Sequence, residues 1–127
     1  MGDKPRILII DDSRSLVLSV LRIFQEEGFE VLTAFDGLEG LKKAREEHPD
    51  LIILDIVMPK LDGFQFLDLL RQYSSIPVVV FTGVHDENKL NKALTLGANG
   101  YVMKPVPIRE LALEIKSKLG HTVTRVQ

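Results

Sequence analysis

Two short apolar runs, each followed at once by aspartate, most constrain what this chain can fold into. The first run, residues 6–10, leads into Asp11 and Asp12, and the second, residues 51–54, leads into Asp55. Short runs rich in β-branched residues are typical of strands buried on both faces, as in a parallel sheet. Because ligands of open α/β folds bind at the carboxyl ends of the strands, we expect these carboxylates at a ligand site.

Carboxylates that converge at one edge of a sheet repel one another unless a cation lies among them. Ligands that are all oxygen suit a hard divalent ion, and we expect Mg²⁺. Each aspartate alone also fits an ordinary turn or helix cap, since aspartate favours both. That simpler interpretation explains one residue easily but not the placement of all three, and the rest of the chain has to decide between the two.

Composition narrows the class of protein. At 127 residues and a formal net charge of −2, the chain suffices for one domain and indicates no general attraction to nucleic acid or anionic lipid. The absence of cysteine excludes disulfides, thiolate metal sites and thiol nucleophiles. No apolar run approaches the ~20 residues of a membrane span, and the N-terminal residues contain no apolar signal region. We therefore expect a cytoplasmic protein without direct nucleic-acid or membrane contact.

Strand and helix patterns alternate along the chain. Apolar residues at three- and four-residue steps predict amphipathic helices, and glycine, proline and capping residues mark the ends of the helices. The second helix is expected to place Leu38, Leu41 and Ala44 on its inner face. The predicted strands are residues 6–10, 30–34, 51–54, 76–81 and 100–103, and the predicted helices are about 13–27, 36–48, 64–72, 86–96 and 107–119.

This alternation predicts an α/β fold, a parallel sheet with helices on both faces. Right-handed crossovers leave few topologies, of which the flavodoxin-like, doubly wound (βα)5 fold has strand order 2-1-3-4-5. That order places strands one and three side by side and would bring Asp11, Asp12 and Asp55 together. We expect the domain to cover residues 4–119, with the polar, aperiodic residues 120–127 as a tail or linker stub.

Several motifs, in order and each at a predicted strand end, resemble those of the receiver domain of two-component response regulators. They are IIDDS at 9–13, LDIVMPKLDG at 54–63, FTG at 81–83, GANGY at 97–101 and MKP at 103–105. Each motif is weak alone, but the combination is specific and covers about residues 4–119. The resemblance implies a signalling phosphoacceptor that assists its own phosphorylation and dephosphorylation and is not an enzyme in the usual sense.

The resemblance assigns roles in phosphoryl transfer. Asp55 resembles the phosphoacceptor, which takes a phosphoryl group from the phosphohistidine of a sensor histidine kinase or phosphotransfer protein. Asp12 resembles the main metal carboxylate and Asp11 its supporting partner. Asp55 and the backbone carbonyl of Val57 complete the implied Mg²⁺ site. A metal is needed because the nucleophile and the phosphoryl group are both anionic.

Further residues are assigned to charge pairing and switching. Lys104 resembles the lysine that pairs with the acceptor and later with a phosphoryl oxygen, and the resemblance implies a cis bond between Lys104 and Pro105. Thr82 resembles the switch hydroxyl, and the small Gly83 beside it leaves room for a phosphoryl group. Tyr101 resembles the switch aromatic, which turns inward when the threonine moves. Taken alone, Thr82 would be an ordinary strand residue and Tyr101 a half-buried sheet residue.

The implied output surface consists of the fourth helix, the fifth strand and the fifth helix. Its candidate residues are Lys89, Lys92, Tyr101, Arg109 and Lys116. The output stays open among a downstream domain, a separate protein and a phosphorylation-dependent homodimer. Asn99 and Gly100 stand where the winged-helix class usually carries an acidic pair, which weakens the matching dimer interface. His85 lies near the expected site and receives no role.

Three other interpretations compete with the receiver. A flavoprotein of this architecture would need a phosphate-cradling turn where Asp11 and Asp12 stand. An interaction module that is never phosphorylated usually lacks an acidic, threonine or lysine position, and this chain has them all. A phosphatase with an aspartyl nucleophile would carry a second aspartate at the position of Val57.

Overall fold

Strands and helices alternate through the computed structural model, which describes residues 4–126, with side chains as far as residue 120. The strands are β1 (Arg6–Ile10), β2 (Glu30–Ala34), β3 (Leu51–Leu54), β4 (Val78–Thr82) and β5 (Gly100–Met103). The helices are α1 (Arg14–Glu26), α2 (Gly37–Glu47), α3 (Gly63–Leu70), α4 (Glu87–Thr95) and α5 (Ile108–Val126). Within this described part of the chain, no helix has both the length and the apolar character needed to span a bilayer.

The five strands form one parallel sheet in the order β2-β1-β3-β4-β5, which confirms the predicted flavodoxin-like topology. Ile10 and Leu54, the last residues of β1 and β3, are register partners. The backbone N–H of Asp55 donates to the carbonyl of Ile10 at 3.0 Å, and that of Asp11 donates to the carbonyl of Ala34 at 3.1 Å. The strand-end aspartates therefore lie level at the carboxyl edge of the sheet.

Helices cover both faces of the sheet, and alternate residues of each central strand contribute to one face or the other. Leu8 and Ile10 of β1 pack in the layer formed with α2, α3 and α4. Ile7 and Ile9 pack in the opposite layer, with α1 and α5. Both layers exclude water from β1 and β3, as their continuous apolar runs predicted.

The inner face of α2 differs from the prediction. Leu38 is 55% exposed, so its expected burial is wrong, whereas Ala44 is buried as predicted. The buried surface of α2 also includes Gly40, where a Cβ atom would lie 2.6 Å from Cδ1 of Ile10. Small residues let α2 approach β1 closely, and this close approach sets the helix rotation that leaves Leu38 in solvent.

Helix α5 is longer than predicted. The apolar stripe indicated an end near Leu119, but the helix continues to Val126. Residues 120–126 contain no proline, and one glycine in a helix interior costs only about 1 kcal/mol, so Gly120 does not end it. Residue 127 lies outside the described chain, and the domain limit at residue 119 stays a prediction.

Candidate functional site

Three carboxyl groups meet where β1 and β3 end. Asp11, Asp12 and Asp55 each offer an oxygen atom, and the three atoms lie within 4.8 Å of one another. Asp11 and Asp55 are 1% and 8% exposed, whereas Asp12 is exposed. The structure therefore brings together the aspartates that the sequence singled out, with one of them at the mouth of the site.

Local backbone geometry orients the two buried carboxylates in the same way. Oδ1 of Asp11 accepts from the N–H of Ser13 at 2.9 Å, and Oδ1 of Asp55 accepts from the N–H of Val57 at 3.4 Å. Each aspartate thus bonds the backbone two residues further on, a habit of aspartate in turns. Ser13 is also the N-cap of α1, which anchors the first of these turns to a helix.

Lys104, which follows β5, extends into the acidic site. Its Nζ lies 2.9 Å from Oδ2 of Asp11 and 3.4 Å from Oδ2 of Asp55. The resemblance implied pairing with Asp55, and the structure adds Asp11 as the closer partner. The peptide bond between Lys104 and Pro105 is cis, as the resemblance implied.

Burial and charge pairing act in opposite directions on the ionisable groups of the site. Burial raises the pKa of Asp11, and this effect outweighs the opposing bonds from the N–H of Ser13 and from Lys104. Burial by itself would lower the pKa of Lys104, but pairing with Asp11 and Asp55 outweighs it, and the net shift is upward. The ammonium form of Lys104 is therefore stabilised beside the carboxylates.

The site suits a hard cation. Its side-chain oxygens come from Asp11, Asp12 and Asp55, and the single ammonium of Lys104 cannot neutralise all three when they are ionised. Exposure of Asp12 leaves one side open to water, which suits an ion that keeps several water ligands. The carboxyl edge of β1 and β3 is thus an acidic pocket with the donor set of a metal site.

Two valines lie close in sequence to the site residues Asp55 and Thr82. The side chain of Val57 is 63% exposed, and that of Val84 is partly exposed. Both line a neighbouring cavity of about 210 Å³ that also reaches Phe64 and Lys89. The assignment of the backbone carbonyl of Val57 as a metal ligand stays a prediction.

Thr82 ends β4 and is fully buried. Its Oγ1 accepts from the N–H of Val84 at 3.2 Å. A hydroxyl that accepts one bond still has its proton to donate. Beside it, a Cβ atom at Gly83 would meet nothing within 4 Å, so space for a further group is open there.

Tyr101 lies on β5 at the edge of the sheet and is 40% exposed. Its register partner is Val80, while Thr82 is the partner of Met103. Residues two apart on a strand share a face, so Tyr101 and Thr82 lie on the same side of the sheet. The structure therefore places the two expected switch residues on neighbouring strands, facing the same layer.

The candidates for the output surface divide into two groups. Arg109 pairs with Glu26 at 2.7 Å and with Glu27 at 2.9 Å, and Lys116 pairs with Glu27 at 2.8 Å. Both basic side chains therefore lie against α1, and their assignment to the surface formed by α4, β5 and α5 is wrong. The helical stripe of α5 showed which side faces the core but could not show which neighbour lies on each flank.

Other members of that surface were missed. Glu110 and Glu114 border a small cavity beside Val102 of β5. Lys92 of α4 remains a candidate, with Nζ 4.5 Å from the centre of the Phe64 ring. The four-residue spacing of the two glutamates was a usable signal, because it places both on one face of α5.

His85 also received no role from the sequence. Its Nε2 lies 2.9 Å from the backbone carbonyl of Lys104. The contact joins the loop after β4 to the turn after β5. No sequence pattern predicts such a bond, because it depends on how two loops meet in space.

Comparisons with known proteins agree with this geometry. Residues 7–116 match the family described as the response regulator receiver domain. "Probable transcriptional regulator ycf27" of Cyanophora paradoxa is 40% identical over 124 residues, covering 94% of this chain and 50% of that protein. The alkaline phosphatase synthesis transcriptional regulatory protein PhoP of Bacillus subtilis is 40% identical over 115 residues, covering 90% of this chain and 48% of that protein. The chain spans about half the length of these relatives.

Similarity also extends to a solved structure, the CheY-like receiver domain protein of Methanospirillum hungatei JF-1. The TM-score is 0.90 at 32% sequence identity, covering 97% of this chain and 99% of that one. The family match covers most of the sheet and both strand-end aspartate motifs. This chain belongs to the response regulator receiver domains, the signalling domains of two-component systems.

Proposed function

We propose that Asp55 is the phosphoacceptor of a two-component phosphorelay. Its donor is the phosphohistidine of a sensor histidine kinase or of a phosphotransfer protein. The observation that carries the proposal is the position of its carboxylate, 8% exposed at the end of β3 and 3.4 Å from Nζ of Lys104. A nucleophile that attacks an anion needs charge compensation, which Lys104 supplies, and the exposed Asp12 leaves the site open to solvent on one side.

In the transfer, a carboxylate oxygen of Asp55 forms a bond to phosphorus while the phosphorus–nitrogen bond of the donor breaks. The electron pair of that bond returns to the imidazole nitrogen, and Asp55 becomes an acyl phosphate. The ammonium of Lys104 attracts a phosphoryl oxygen and lowers the repulsion between the two anions. In this role the domain assists its own phosphorylation without turning over a separate substrate, and it assists dephosphorylation in the same sense.

Mg²⁺ is the cofactor we propose for this step. Asp11, Asp12, Asp55 and the backbone carbonyl of Val57 would hold it, and the oxygen-only donors with one exposed carboxylate support this choice. When bound, the ion supplies positive charge against the anionic phosphoryl group. Asp12 is the main carboxylate in this assignment and Asp11 the supporting one, since Asp11 is already engaged by Lys104.

The signal passes from the acyl phosphate through Thr82 and Tyr101. The hydroxyl of Thr82 accepts from the N–H of Val84 and keeps its proton for a phosphoryl oxygen. Inward movement of Thr82 vacates space on the face that it shares with Tyr101, and the aromatic ring follows. The phosphoryl group shifts this equilibrium only by making better contacts in one state than in the other. The surface formed by α4, β5 and α5 changes as a result.

For the output of the domain, we propose only the class of target. Relatives named as transcriptional regulators are about twice as long as this chain, which supports coupling to an output domain, and a separate downstream protein is an alternative target. A phosphorylation-dependent homodimer is a further route. The net charge of −2 supports an output without direct contact between this domain and nucleic acid. The proposed domain ends at residue 119. Its proposed location is the cytoplasm, where soluble phosphodonors act.

Labelling with a small phosphodonor tests the central assignment. Acetyl phosphate and Mg²⁺ should add one phosphoryl group that is labile to base and to hydroxylamine, as expected for an acyl phosphate. Asp55→Asn should abolish the labelling, whereas Asp68→Asn, an exposed site on α3, should leave it unchanged. Stoichiometric labelling of Asp55→Asn would move the acceptor elsewhere, and an unlabelled wild type would indicate an interaction module that is never phosphorylated.

A further inference from the structure

A single side chain joins the two loops that border the phosphoacceptor site on its β4–β5 side. His85 lies in the loop between β4 and α4, and its Nε2 is 2.9 Å from the carbonyl oxygen of Lys104. A carbonyl only accepts, so Nε2 carries the proton and donates. Both the neutral tautomer with hydrogen on Nε2 and the imidazolium make this bond, and it does not depend on the charge of His85.

The bond closes a ring of contacts that includes Thr82. The N–H of Lys104 donates to the carbonyl of Thr82 at 2.7 Å, which continues the pairing of β4 with β5. The N–H of Val84 donates to Oγ1 of Thr82 at 3.2 Å. The side chain of His85 then donates to the carbonyl of Lys104 and completes the ring. The loop after β4 is therefore held at Thr82 and at His85.

The two partners of this bond differ in how firmly they are held. Lys104 has the sheet bond that its N–H donates to the carbonyl of Thr82, and its side chain forms ion pairs with Asp11 and Asp55. His85 is exposed, and so is Gly83, two positions before it. The bond therefore constrains the loop more than it constrains Lys104, which is already in place.

We propose that His85 is a positioning residue that ties the β4–α4 loop to the backbone of Lys104 and sets the cost of moving Thr82 inward. The inference rests on the proposed function for its consequence, since the movement follows phosphorylation of Asp55. Thr82 lies three positions before His85, and the loop between them has Gly83 as its least restricted residue. Inward movement of Thr82 pulls this loop and strains or breaks the bond to Lys104.

Two substitutions separate the hydrogen bond from the bulk of the side chain. His85→Leu keeps a large side chain and removes the donor. His85→Gln keeps a donor, because its terminal amide nitrogen lies about as far from the backbone as Nε2 of histidine. His85 is not the nucleophile, a metal carboxylate or Lys104, and it is exposed, so both variants should fold.

Amide hydrogen exchange in the unphosphorylated protein tests the tether directly. Exchange of the Val84 amide should be about threefold to tenfold faster in His85→Leu, as expected for loss of one net hydrogen bond, and should return to the wild-type rate in His85→Gln. The amide of Asp11, bonded to Ala34 within the central sheet, should exchange at the wild-type rate in both variants. A general loss of stability would accelerate both amides and would overturn the proposal, as would an unchanged Val84 rate.

Chemical shifts of Tyr101 test the consequence for switching. In unphosphorylated His85→Leu they should move part of the way toward their values in phosphorylated wild type, and in His85→Gln they should stay at the unphosphorylated values. Faster Val84 exchange without this movement would overturn the link to Thr82. If the wild type accepts no phosphoryl group, the proposed function fails, whereas the exchange rates still decide whether His85 holds the loop.

Discussion

The carboxyl edge of the sheet has two halves that are held very differently. The acidic half lies behind β1 and β3, whose residues are buried almost throughout, and both strands have neighbours on each side. The other half lies behind β4 and β5. Among the residues that the structure describes, β5 forms one edge of the sheet, pairs with β4 alone, and leaves Tyr101 and Met103 about 40% exposed. The proposed function thus places the phosphoacceptor behind buried central strands and Tyr101 on an exposed edge strand.

Packing explains why the halves differ. Central strands bury apolar side chains on both faces, and displacing them costs the contacts of a close-packed core. An edge strand has hydrogen bonds on one side only, and regions with fewer buried contacts open at lower free energy. We therefore expect the side chain of Tyr101 to change position more readily than that of Asp55.

The half of the edge behind β4 and β5 is nevertheless anchored near the C-terminal end of α4. Nε and Nη2 of Arg71 donate to the carbonyl of Gly97 at 3.1 and 2.8 Å, and Nη2 also donates to Oδ1 of Asn99 at 3.1 Å. Gly97 has a φ of +113°, a conformation that favours glycine, and a Cβ atom there would lie 2.7 Å from Nε of Arg71. Movement of α4 is therefore expected at its N-terminal end, near Thr82, while its C-terminal end stays in place.

The largest effect is expected from a substitution in the acidic half of the edge. Asp12→Ala should weaken Mg²⁺ binding at least about tenfold, which is about 1.4 kcal/mol of binding free energy, because it removes the exposed carboxylate. The same change relieves repulsion among the carboxylates and should raise the melting temperature slightly in metal-free buffer. Calorimetric titration with Mg²⁺ and thermal unfolding measure the two effects. A lower melting temperature would indicate that Asp12 is structural first, and Asp68→Ala is the matched control on an exposed helix position.

The next largest effect should separate acceptance of the phosphoryl group from the structural response to it. Thr82→Ala should accept a phosphoryl group from acetyl phosphate, because the nucleophile is untouched, but the shift changes of Tyr101 and α4 should fall to about half or less. That loss corresponds to a differential contact worth on the order of 1 kcal/mol. NMR spectra before and after phosphorylation measure it. Equal shift changes in wild type and Thr82→Ala would exclude this coupling route, and Thr33→Ala on the opposite edge strand is the control.

The smallest expected effect concerns how long the acyl phosphate lasts. Val57 and Val84 lie two residues past Asp55 and Thr82 and line the neighbouring cavity, and neither side chain can hold a water by hydrogen bonding, so we expect slow hydrolysis. The double variant Val57→Asn/Val84→Glu should speed decay about threefold, which corresponds to about 0.7 kcal/mol of barrier. Decay of the labelled protein measures this. Unchanged decay would mean that the valines only cover the site, and Leu113→Asn, 59% exposed on α5, controls for surface polarity.

Local patterns were enough to predict much of the fold and the acidic site. Apolar runs that end in aspartate predicted β1, β3 and the level of their carboxylates, because a buried strand and its end are properties of a few adjacent residues. The same reasoning failed at Leu38. Its spacing fitted an inner face of α2, but contact between Gly40 and Ile10 rotates the helix away from that arrangement.

Sequence by itself determined which side chains stand at the strand ends: carboxylates after β1 and β3, a hydroxyl at the end of β4 and an amine after β5. Only the tertiary structure decided which of them touch. Lys104 lies 93 positions from Asp11 and 19 from His85, yet it bonds both. Arg109 and Lys116 turned toward α1 for the same reason. Residue type and spacing act over one or two turns of chain, whereas contacts between distant loops depend on how every helix packs against the sheet.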